Sequence, residues 1–277
     1  MRSTEHAATV DFVERSLHAD LRLEHVAAHV GYSPYHLHRS FRRAFGLTLH
    51  TYVRRRRLTE AARALADTSD PVLDIALRHG FRGQQSFTSA FSASYGVPPA
   101  TWRRTRPFFP LLLPYRFPAS EWELGRATGG FGITDRASVD LLLPLSLAAV
   151  DMLPTLDVDQ HAADLSTRCD SHRVLVARGE GPGGRGAAAV IIDPATGHIE
   201  YLAVHPLARA TSALPALLHA ARAHHPRLSV TTFREGDKAD LGHRRTLAAL
   251  GFRPGRLRVE FGYPTQLLRL DTSGAPL

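Results

Sequence analysis

The chain has 277 residues, 44% of them hydrophobic and 22% charged, so it is long enough for two domains and too apolar to be disordered throughout. The single cysteine, Cys169, excludes a disulfide framework, and no histidine pair stands at metal-ligand spacing, so we expect no metal site. No signal-peptide core is present, and the longest apolar run, Leu141 to Val150, is too short to span a bilayer. We expect a cytoplasmic protein with no membrane partner.

The net charge of +8 is concentrated in the first part of the chain. Residues 1–106 contain 16 Arg, no Lys and 9 acidic residues, which gives +7, whereas residues 107–277 carry only +1. A genome-wide bias toward arginine would not explain why acidic residues balance it only in the second part. A concentrated basic segment favours a polyanionic partner, most simply nucleic acid.

Residues 1–106 are predicted to form an all-α domain that contains an internal repeat. Apolar residues recur at helical spacing, and Gly, Ser, Asp or Pro stands at each break. At an offset of 49–50 residues, the matched sets are Val26, Ala27, Gly31, Leu37, Phe41, Phe45, Gly46 and Ile75, Ala76, Gly80, Phe87, Phe91, Tyr95, Gly96. Each unit has a short helix, a tight turn at a glycine and a second helix, which is the layout of a helix-turn-helix.

A long helix, about Leu47–Leu65, is predicted to join the two helix-turn-helix units. Their second helices, the recognition helices, could then enter successive major grooves about 34 Å apart. One chain could therefore recognise an asymmetric site without dimerising.

Four segments carry a resemblance to a known family. They are GYSPYHLHRSFRRAFG (31–46), YVRRRRLTEAARAL (52–65), DIALRHGF (74–81) and QQSFTSAFSASYGVPP (84–99). Residues 8–105 resemble the DNA-binding domain of the bacterial AraC/XylS-family transcription regulators. The resemblance implies double-stranded DNA as the partner, with RNA polymerase as a further candidate partner.

Helix geometry separates the candidate base-contacting residues from the core. With Leu37, Phe41 and Phe45 facing inward, the first recognition helix presents outward Tyr35, His38, Arg39 and Arg42. The second presents Gln84, Gln85, Thr88 and Ser89. Arg39 suits a bidentate guanine contact and a glutamine suits adenine. Family members often carry arginine where Ser89 stands, so we expect the first helix to dominate the affinity.

The run Arg54 to Arg57 lies within the joining helix and points around its whole circumference, so it cannot form one patch. We expect at least one of these arginines to pair internally with Glu60, Asp67 or Asp70. The others are candidates for phosphate contacts, which give affinity without sequence information.

Residues 107–126 form a Pro-rich apolar linker that we expect to pack on one of the domains, and residues 127–277 are predicted to form an α/β (α+β) domain. Its strand candidates are His172–Arg178, Ala187–Asp193, Ile199–Val204, Leu228–Phe233, Leu257–Tyr263 and Leu267–Leu270. Its helix candidates are Asp140–Leu153, Arg209–His224 and Asp240–Leu250. Cys169 falls in a loop-like stretch, and Gly181–Gly186 is predicted to be a flexible hairpin.

The segment YLAVHPLARATSALPALLHAARA (201–223), together with Leu250-Gly251-Phe252 at the end of a later helix, resembles the GNAT acetyltransferase fold over roughly residues 127–272. In that family a strand-to-helix loop binds the pyrophosphate of acetyl-CoA, or of another acyl-CoA, at a helix N-terminus. The resemblance therefore implies as cofactor-binding candidates Val204, Arg209, Ala210, Thr211, Ser212 and Ala213.

Three features of the segment depart from the family pattern, so no catalytic residue is assigned. Ala210, Ser212 and Leu214 stand where glycines usually sit, Leu247 replaces a proton-donating tyrosine, and Asp240 replaces an asparagine. We expect a transcription regulator whose GNAT-like domain senses a small-molecule effector or mediates protein contacts. The alternatives are a bifunctional regulator with N-acetyltransferase activity and a purely structural or dimerising domain.

Overall fold

The structure, a computed structural model, describes residues 3–105, 110–117, 130–135, 137–149, 157–179, 185–260 and 262–271. The chain divides into two compact units. The helical unit contains the described residues up to 117, and the sheet unit contains those from 130 onward. Among the described residues, no helix has both the length and the apolarity needed to cross a membrane.

Residues 3–105 form seven helices, which confirms the all-α prediction for this domain. They are α1 (Ser3–Arg15), α2 (Leu23–His29), α3 (Pro34–Phe45), α4 (Leu49–Asp67), α5 (Val72–Arg78), α6 (Gln84–Tyr95) and α7 (Pro99–Thr105). The joining helix, α4, begins two residues later than predicted because Thr48 caps it: the Thr48 hydroxyl accepts the Thr51 N–H at 3.1 Å.

The sequence repeat is also a repeat of backbone hydrogen bonds. In the first turn Tyr32 N–H donates to the Ala27 carbonyl at 2.9 Å, and in the second Phe81 N–H donates to Ala76 at 3.0 Å. Gly31 and Gly80 both have φ of +73°, a conformation that a Cβ disfavours. The pairs α2–α3 and α5–α6 are therefore two helix-turn-helix units of the same construction.

Residues 110–117, within the predicted linker, pack into the core of the helical unit. The buried Thr59 hydroxyl accepts the N–H groups of Leu111 and Leu112 at 3.0 and 3.2 Å. The Tyr115 ring stacks on Phe45 with centroids 5.0 Å apart, and its N–H donates to the Tyr52 hydroxyl. The rest of the predicted linker, residues 107–109 and 118–126, lies outside the described residues.

The sheet unit combines one mixed sheet with four α-helices in its described residues. Its strands are β1 (Phe131–Asp135), β2 (Arg173–Gly179), β3 (Gly186–Ile192), β4 (His198–Val204), β5 (Leu228–Phe233), β6 (Arg253–Glu260) and β7 (Tyr263–Leu270). Its helices are α8 (Val139–Ala149), α9 (Val158–Ser171), α10 (Ala213–His224) and α11 (His243–Ala249). The strand order is β1-β2-β3-β4-β5-β7-β6.

The strand β3 is buried along its whole length, so the sheet is covered on both faces there. Leu142 and Leu145 of α8 and Leu165 of α9 pack on one face of the sheet, and α10 packs on β2 and β3.

All strand pairs are antiparallel except β4 and β5, which are parallel. Those two strands pair only at His198–Ser229 and Ile199–Val230. Beyond that point β4 and β5 separate, which leaves room between their carboxyl-terminal parts.

Several predicted boundaries in the sheet unit are wrong. The strand placed at Leu257–Tyr263 crosses a turn: β6 ends at Glu260 and β7 begins at Tyr263, with Gly262 at φ +75°. The helix expected from Arg209 begins at Ala213, because the residues before it form tighter turns in which the N–H groups of Arg209 and Thr211 donate to Pro206 and Ala208.

Two elements, β1 and α9, were not anticipated. Cys169, expected in a loop, lies within α9, where burial raises the pKa of its thiol. The helix predicted over Asp140–Leu153 is described as Val139–Ala149, and residues 150–153 lie outside the described residues. So does most of the predicted hairpin at Gly181–Gly186, of which residues 185 and 186 are described.

Candidate nucleic-acid interface

The first recognition helix, α3, is shaped by its two ends and its buried face. The Ser33 hydroxyl accepts the His36 N–H at 3.3 Å, Pro34 occupies the first helical position, and Gly46 ends the helix at φ +73°. Leu37, Phe41 and Phe45 are at most 1% exposed, as expected. The opposite face of α3 is therefore free to meet a partner.

On that outer face the structure places Tyr35, Arg39 and Arg42, all exposed, and His38, which is half-buried. Tyr35 is 70% exposed, which is unusual for an aromatic residue that serves only the core. The Arg39 guanidinium lies 5.4 Å from the centroid of the Tyr35 ring, and its Nη1 is 3.4 Å from the Tyr35 hydroxyl. This contact, one helical turn apart, holds the two side chains side by side.

The second recognition helix, α6, resembles α3 in its buried face and in its terminal glycine, and it differs from α3 in its exposed face. Phe87 and Phe91 are fully buried, and Gly96 ends the helix at φ +74°. Of the predicted contact residues Gln84, Gln85 and Ser89 are exposed and Thr88 is half-buried. The helix carries no charged residue, whereas α3 carries Arg39, Arg42 and Arg43. The positive charge on the two recognition helices is therefore confined to the first.

A groove of ≈ 690 Å³ lies between the two helix-turn-helix units. Its basic lining residues are Arg22, His38, His50, Arg54, Arg57 and Arg82. Arg82 and Arg54 are exposed, and Arg22 pairs with Asp20 at 2.9 Å. Arg82 is a candidate beyond those expected from the sequence, and its place in the turn between α5 and α6 is the signal that could have found it. We count Arg54 and Arg82 among the candidate phosphate contacts.

The arginine run within α4 has divided roles, as expected. Arg56 is 3% exposed and pairs with Glu60 at 2.8 Å, as one of the expected internal pairs, and also with Glu14 of α1 at 3.0 Å. Arg57 donates to the carbonyls of Leu17 and Ala19, at 2.7 and 2.5 Å. Both arginines therefore hold helices together and are unavailable to DNA.

The second helix-turn-helix unit also contains a buried histidine at the end of α5. His79, the residue after α5, lies beside His18 with ring centroids 5.3 Å apart. Burial, and secondarily the charge of His18, lowers the pKa of His79 to about 4. The side chain is therefore neutral near pH 7 and contributes no charge to the interface.

Comparisons with known proteins agree with this geometry. A family model described as a helix-turn-helix domain matches residues 26–105, from α2 to α7. The multiple antibiotic resistance protein MarA of Escherichia coli is 40% identical over 96 residues, which are 35% of this chain and 76% of MarA. The transcriptional activator AarP of Providencia stuartii is 44% identical over 92 residues, or 33% of this chain and 68% of AarP.

Two solved structures are also similar to part of this chain. The C-terminal domain of AraT, a response regulator from Geobacillus stearothermophilus, is 31% identical and covers 37% of this chain and 85% of its own, with a TM-score of 0.36. The DNA-binding domain of AdpA, solved in complex with a target DNA, is 28% identical. The match covers 37% of this chain and 95% of the AdpA domain, with a TM-score of 0.35.

The helical unit is a double helix-turn-helix DNA-binding domain, with the two recognition helices exposed and a basic groove between the units. The identity with MarA, over three quarters of that protein, places this chain in the AraC family, and residues 26–105 are the DNA-binding domain of a transcription regulator of the AraC/XylS type.

The sheet unit contains the second candidate site, the loop after β4. Val204 is 7% exposed at the end of β4, and a short 3-10 helix, Pro206–Ala208, leads to the loop. In this loop the N–H groups of Arg209, Thr211 and Ala213 already donate to Pro206, Ala208 and the Thr211 hydroxyl. A pyrophosphate that used these three N–H groups would have to replace those bonds.

A small cavity of ≈ 40 Å³ lies beside this loop, between β4 and α11. Its lining residues include Val204, Arg209, Leu214 and Leu247. Leu247 is 1% exposed, and Asp240 accepts the N–H groups of Gly242 and His243 with one carboxylate oxygen. An acyl group would need α11 and β4 to move apart. Among the described residues no group of three or more His, Cys, Asp or Glu could hold a metal ion.

Proposed function

We propose that the chain is a sequence-specific regulator that contacts bases with both recognition helices and binds its operator chiefly through α3. The observation that carries this proposal is the outer face of α3, where Arg39 lies against the exposed Tyr35 ring with nothing apolar covering either side chain. Arginine in this position suits the O6 and N7 acceptors of guanine, and the tyrosine ring suits a thymine methyl group.

The assignment of the second helix rests on Gln84 and Gln85, which are exposed at the first turn of α6. An exposed amide can pair with the N6 and N7 atoms of adenine. Thr88 and Ser89 follow on the same helix as weaker hydrogen-bonding groups. Because α6 lacks a cation, its contacts add discrimination more than affinity.

The first prediction tests the Arg39 contact. Arg39→Ala is expected to cost about 1–3 kcal/mol of binding free energy at the specific site and to relax the base preference at one position. Selection of sites from a random duplex library, followed by fluorescence anisotropy at fixed salt, measures both effects.

The matched control for Arg39→Ala is Arg15→Ala, which removes the same charge from an exposed position on α1. We expect this change to leave base preference unaltered. Equal preference for Arg39→Ala and the parent protein would show that Arg39 contacts no base.

For the sheet unit we propose a GNAT-like domain that senses a small molecule or contacts a protein partner such as RNA polymerase, and does not transfer acetyl groups. The mixed sheet with diverging β4 and β5 supports the GNAT-like part of the proposal. The internally bonded loop and the buried Leu247 support the absence of transfer. Coupling to DNA binding requires that a ligand favour one state of the protein over another.

The second prediction separates this proposal from the alternative, an active N-acetyltransferase. Incubation with radiolabelled acetyl-CoA and a panel of amines is expected to give no more labelled product than a reaction without protein. Turnover that is abolished by Thr211→Pro and retained in Arg39→Ala would establish the enzyme and refute the proposal. Thr211→Pro would alter the loop itself, since proline fixes φ and removes the N–H.

A further inference from the structure

A basic depression of ≈ 490 Å³ lies at the end of the sheet unit where β4 and β5 begin. The loop at 209–213 follows the other end of β4, a strand of seven residues that is roughly 20 Å long. The charged residues that line the depression are Asp193, Arg227, Arg256, Arg258, Arg269 and Asp271. Four guanidinium groups therefore share one concavity with two carboxylates.

Neither of those carboxylates makes an ion pair with one of the four arginines in the described part of the chain. Asp193 accepts hydrogen bonds from the N–H groups of Ala195 and Thr196 and from the Thr196 hydroxyl, which lowers its pKa and commits it to the turn before β4. Arg258 has a partner of its own, Glu260, at 3.6 Å. No hydrogen bond or ion pair joins Arg227, Arg256 or Arg269 to another residue in the described part of the chain. Three of the guanidinium groups therefore have no directly bonded partner, and the four arginines outnumber the two carboxylates that line the depression.

Strand pairing is what brings these residues together. Arg269 on β7 stands directly opposite Ser229 on β5, and Ser229 stands opposite His198 on β4. The Ser229 hydroxyl and His198 Nδ1 are 2.9 Å apart, and this hydrogen bond joins β5 to β4 within the depression. A bulge between Pro254 and Leu257 shifts the register of β6 at Arg256, and bulges commonly redirect a side chain in this way.

Like charges clustered on neighbouring strands repel one another, so this arrangement lowers the stability of the folded sheet. A bound anion would relieve the repulsion. Arginine forks match phosphate oxygens in bidentate geometry. The volume lies within the usual range for a small-molecule site, about 300–1,000 Å³. Leu267, which lies on the same strand face as Arg269, is buried in the lining.

We propose that this depression, formed by Arg227, Arg256, Arg258 and Arg269, binds a small molecule that carries two or more phosphate groups. A concave site suits a compact polyphosphate better than the convex backbone of a duplex. The inference goes beyond the proposed function, because anion binding here depends neither on the loop at 209–213 nor on contact between α3 and DNA.

The test is isothermal titration of the full chain with sodium tripolyphosphate at about 0.15 M salt, where long-range charge effects are screened. We expect saturable binding in the parent protein. The double variant Arg256→Gln/Arg269→Gln is expected to bind at least about tenfold more weakly, since each lost charged hydrogen bond contributes on that scale. Neither side chain makes a hydrogen bond or ion pair within the described residues, and thermal unfolding checks that the variant is folded.

Two control variants locate the effect. Arg222→Gln/Arg245→Gln removes the same charge from the same unit outside the depression, and Arg39→Gln/Arg42→Gln removes it from the recognition helix. Both are expected to bind tripolyphosphate within about twofold of the parent protein, because neither pair lines the depression.

Four results would overturn the inference. Equal losses in all three variants would mean unspecific attraction, and a loss confined to Arg39→Gln/Arg42→Gln would place the anion in the helical unit. Citrate binding as tightly as tripolyphosphate would remove the phosphate assignment. Normal tripolyphosphate binding by Arg256→Gln/Arg269→Gln together with weakened DNA binding would identify the surface as a DNA-backbone contact.

Discussion

At the scale of single residues, adjacent arginines of α4 have different structural roles. Arg54 is exposed, Arg55 donates to the Leu111 carbonyl at 3.4 Å, and Arg56 is buried among carboxylates. Arg56 also donates to the Leu112 carbonyl at 3.0 Å. This one side chain therefore joins α1, α4 and the segment at 110–117.

The third prediction concerns that buried cluster. Arg56→Met is expected to lower the free energy of unfolding of the helical unit by about 3–5 kcal/mol, because it leaves the Glu14 carboxylate without its main counter-charge. Arg54→Met, two residues away and exposed, is expected to change it by less than about 0.5 kcal/mol. Urea unfolding followed by the helical circular dichroism signal measures both values. Similar values for the two variants would contradict the role given to Arg56.

At the scale of elements, the two helix-turn-helix units share a backbone and differ in their surroundings. A Cβ built on Gly31 meets nothing within 4 Å, whereas one built on Gly80 comes within 2.7 Å of the Arg57 guanidinium carbon. The Arg57 side chain is held by the carbonyls of Leu17 and Ala19, so it cannot simply swing away. The second turn is therefore more closely packed than the first.

The fourth prediction follows from that difference. Gly31→Ala is expected to cost about 1–2 kcal/mol of stability, the usual penalty for a Cβ in the left-handed region. Gly80→Ala should cost more, because it adds displacement of Arg57 to the same backbone penalty. Thermal unfolding of the two variants in one buffer compares them. An equal loss at both positions would mean that Arg57 relaxes without cost.

At the scale of the whole molecule, the helical unit carries two recognition helices joined by α4. This helix has 19 residues and is therefore about 28 Å long, close to one turn of B-DNA. Arg56 fixes α4 to α1, and Arg57 fixes it to the turn that follows α1. The spacing of the two half-sites on DNA should therefore be strict.

The fifth prediction is that five base pairs inserted between the half-sites will lower affinity at least about tenfold. The insertion turns one half-site to the opposite face of the duplex, so only one recognition helix can make its base contacts. The same insertion outside the site is the control and should have no effect. Footprinting and anisotropy measure the outcome, and unchanged affinity would show that a single unit suffices for binding.

Much of the helical unit could be predicted from the sequence. The buried faces at Leu37, Phe41, Phe87 and Phe91 follow from helical periodicity, and the turns follow from glycines whose positive φ few other residues adopt. In the sheet unit the boundaries were less predictable. The β6–β7 turn has no strong turn motif apart from Gly262, and α9 has a weak apolar pattern with only Leu165 buried.

By itself the sequence determined the double helix-turn-helix, its exposed recognition faces and the concentration of charge beside them, because periodicity, turn glycines and composition are local properties of the chain. Only the tertiary structure decided the partner of Arg56, which is 42 residues away at Glu14, and the burial of the segment at 110–117. It also decided the meeting of Arg227, Arg256 and Arg269. Burial and ion pairing depend on segments distant in the chain, and local pattern does not record which of them will meet.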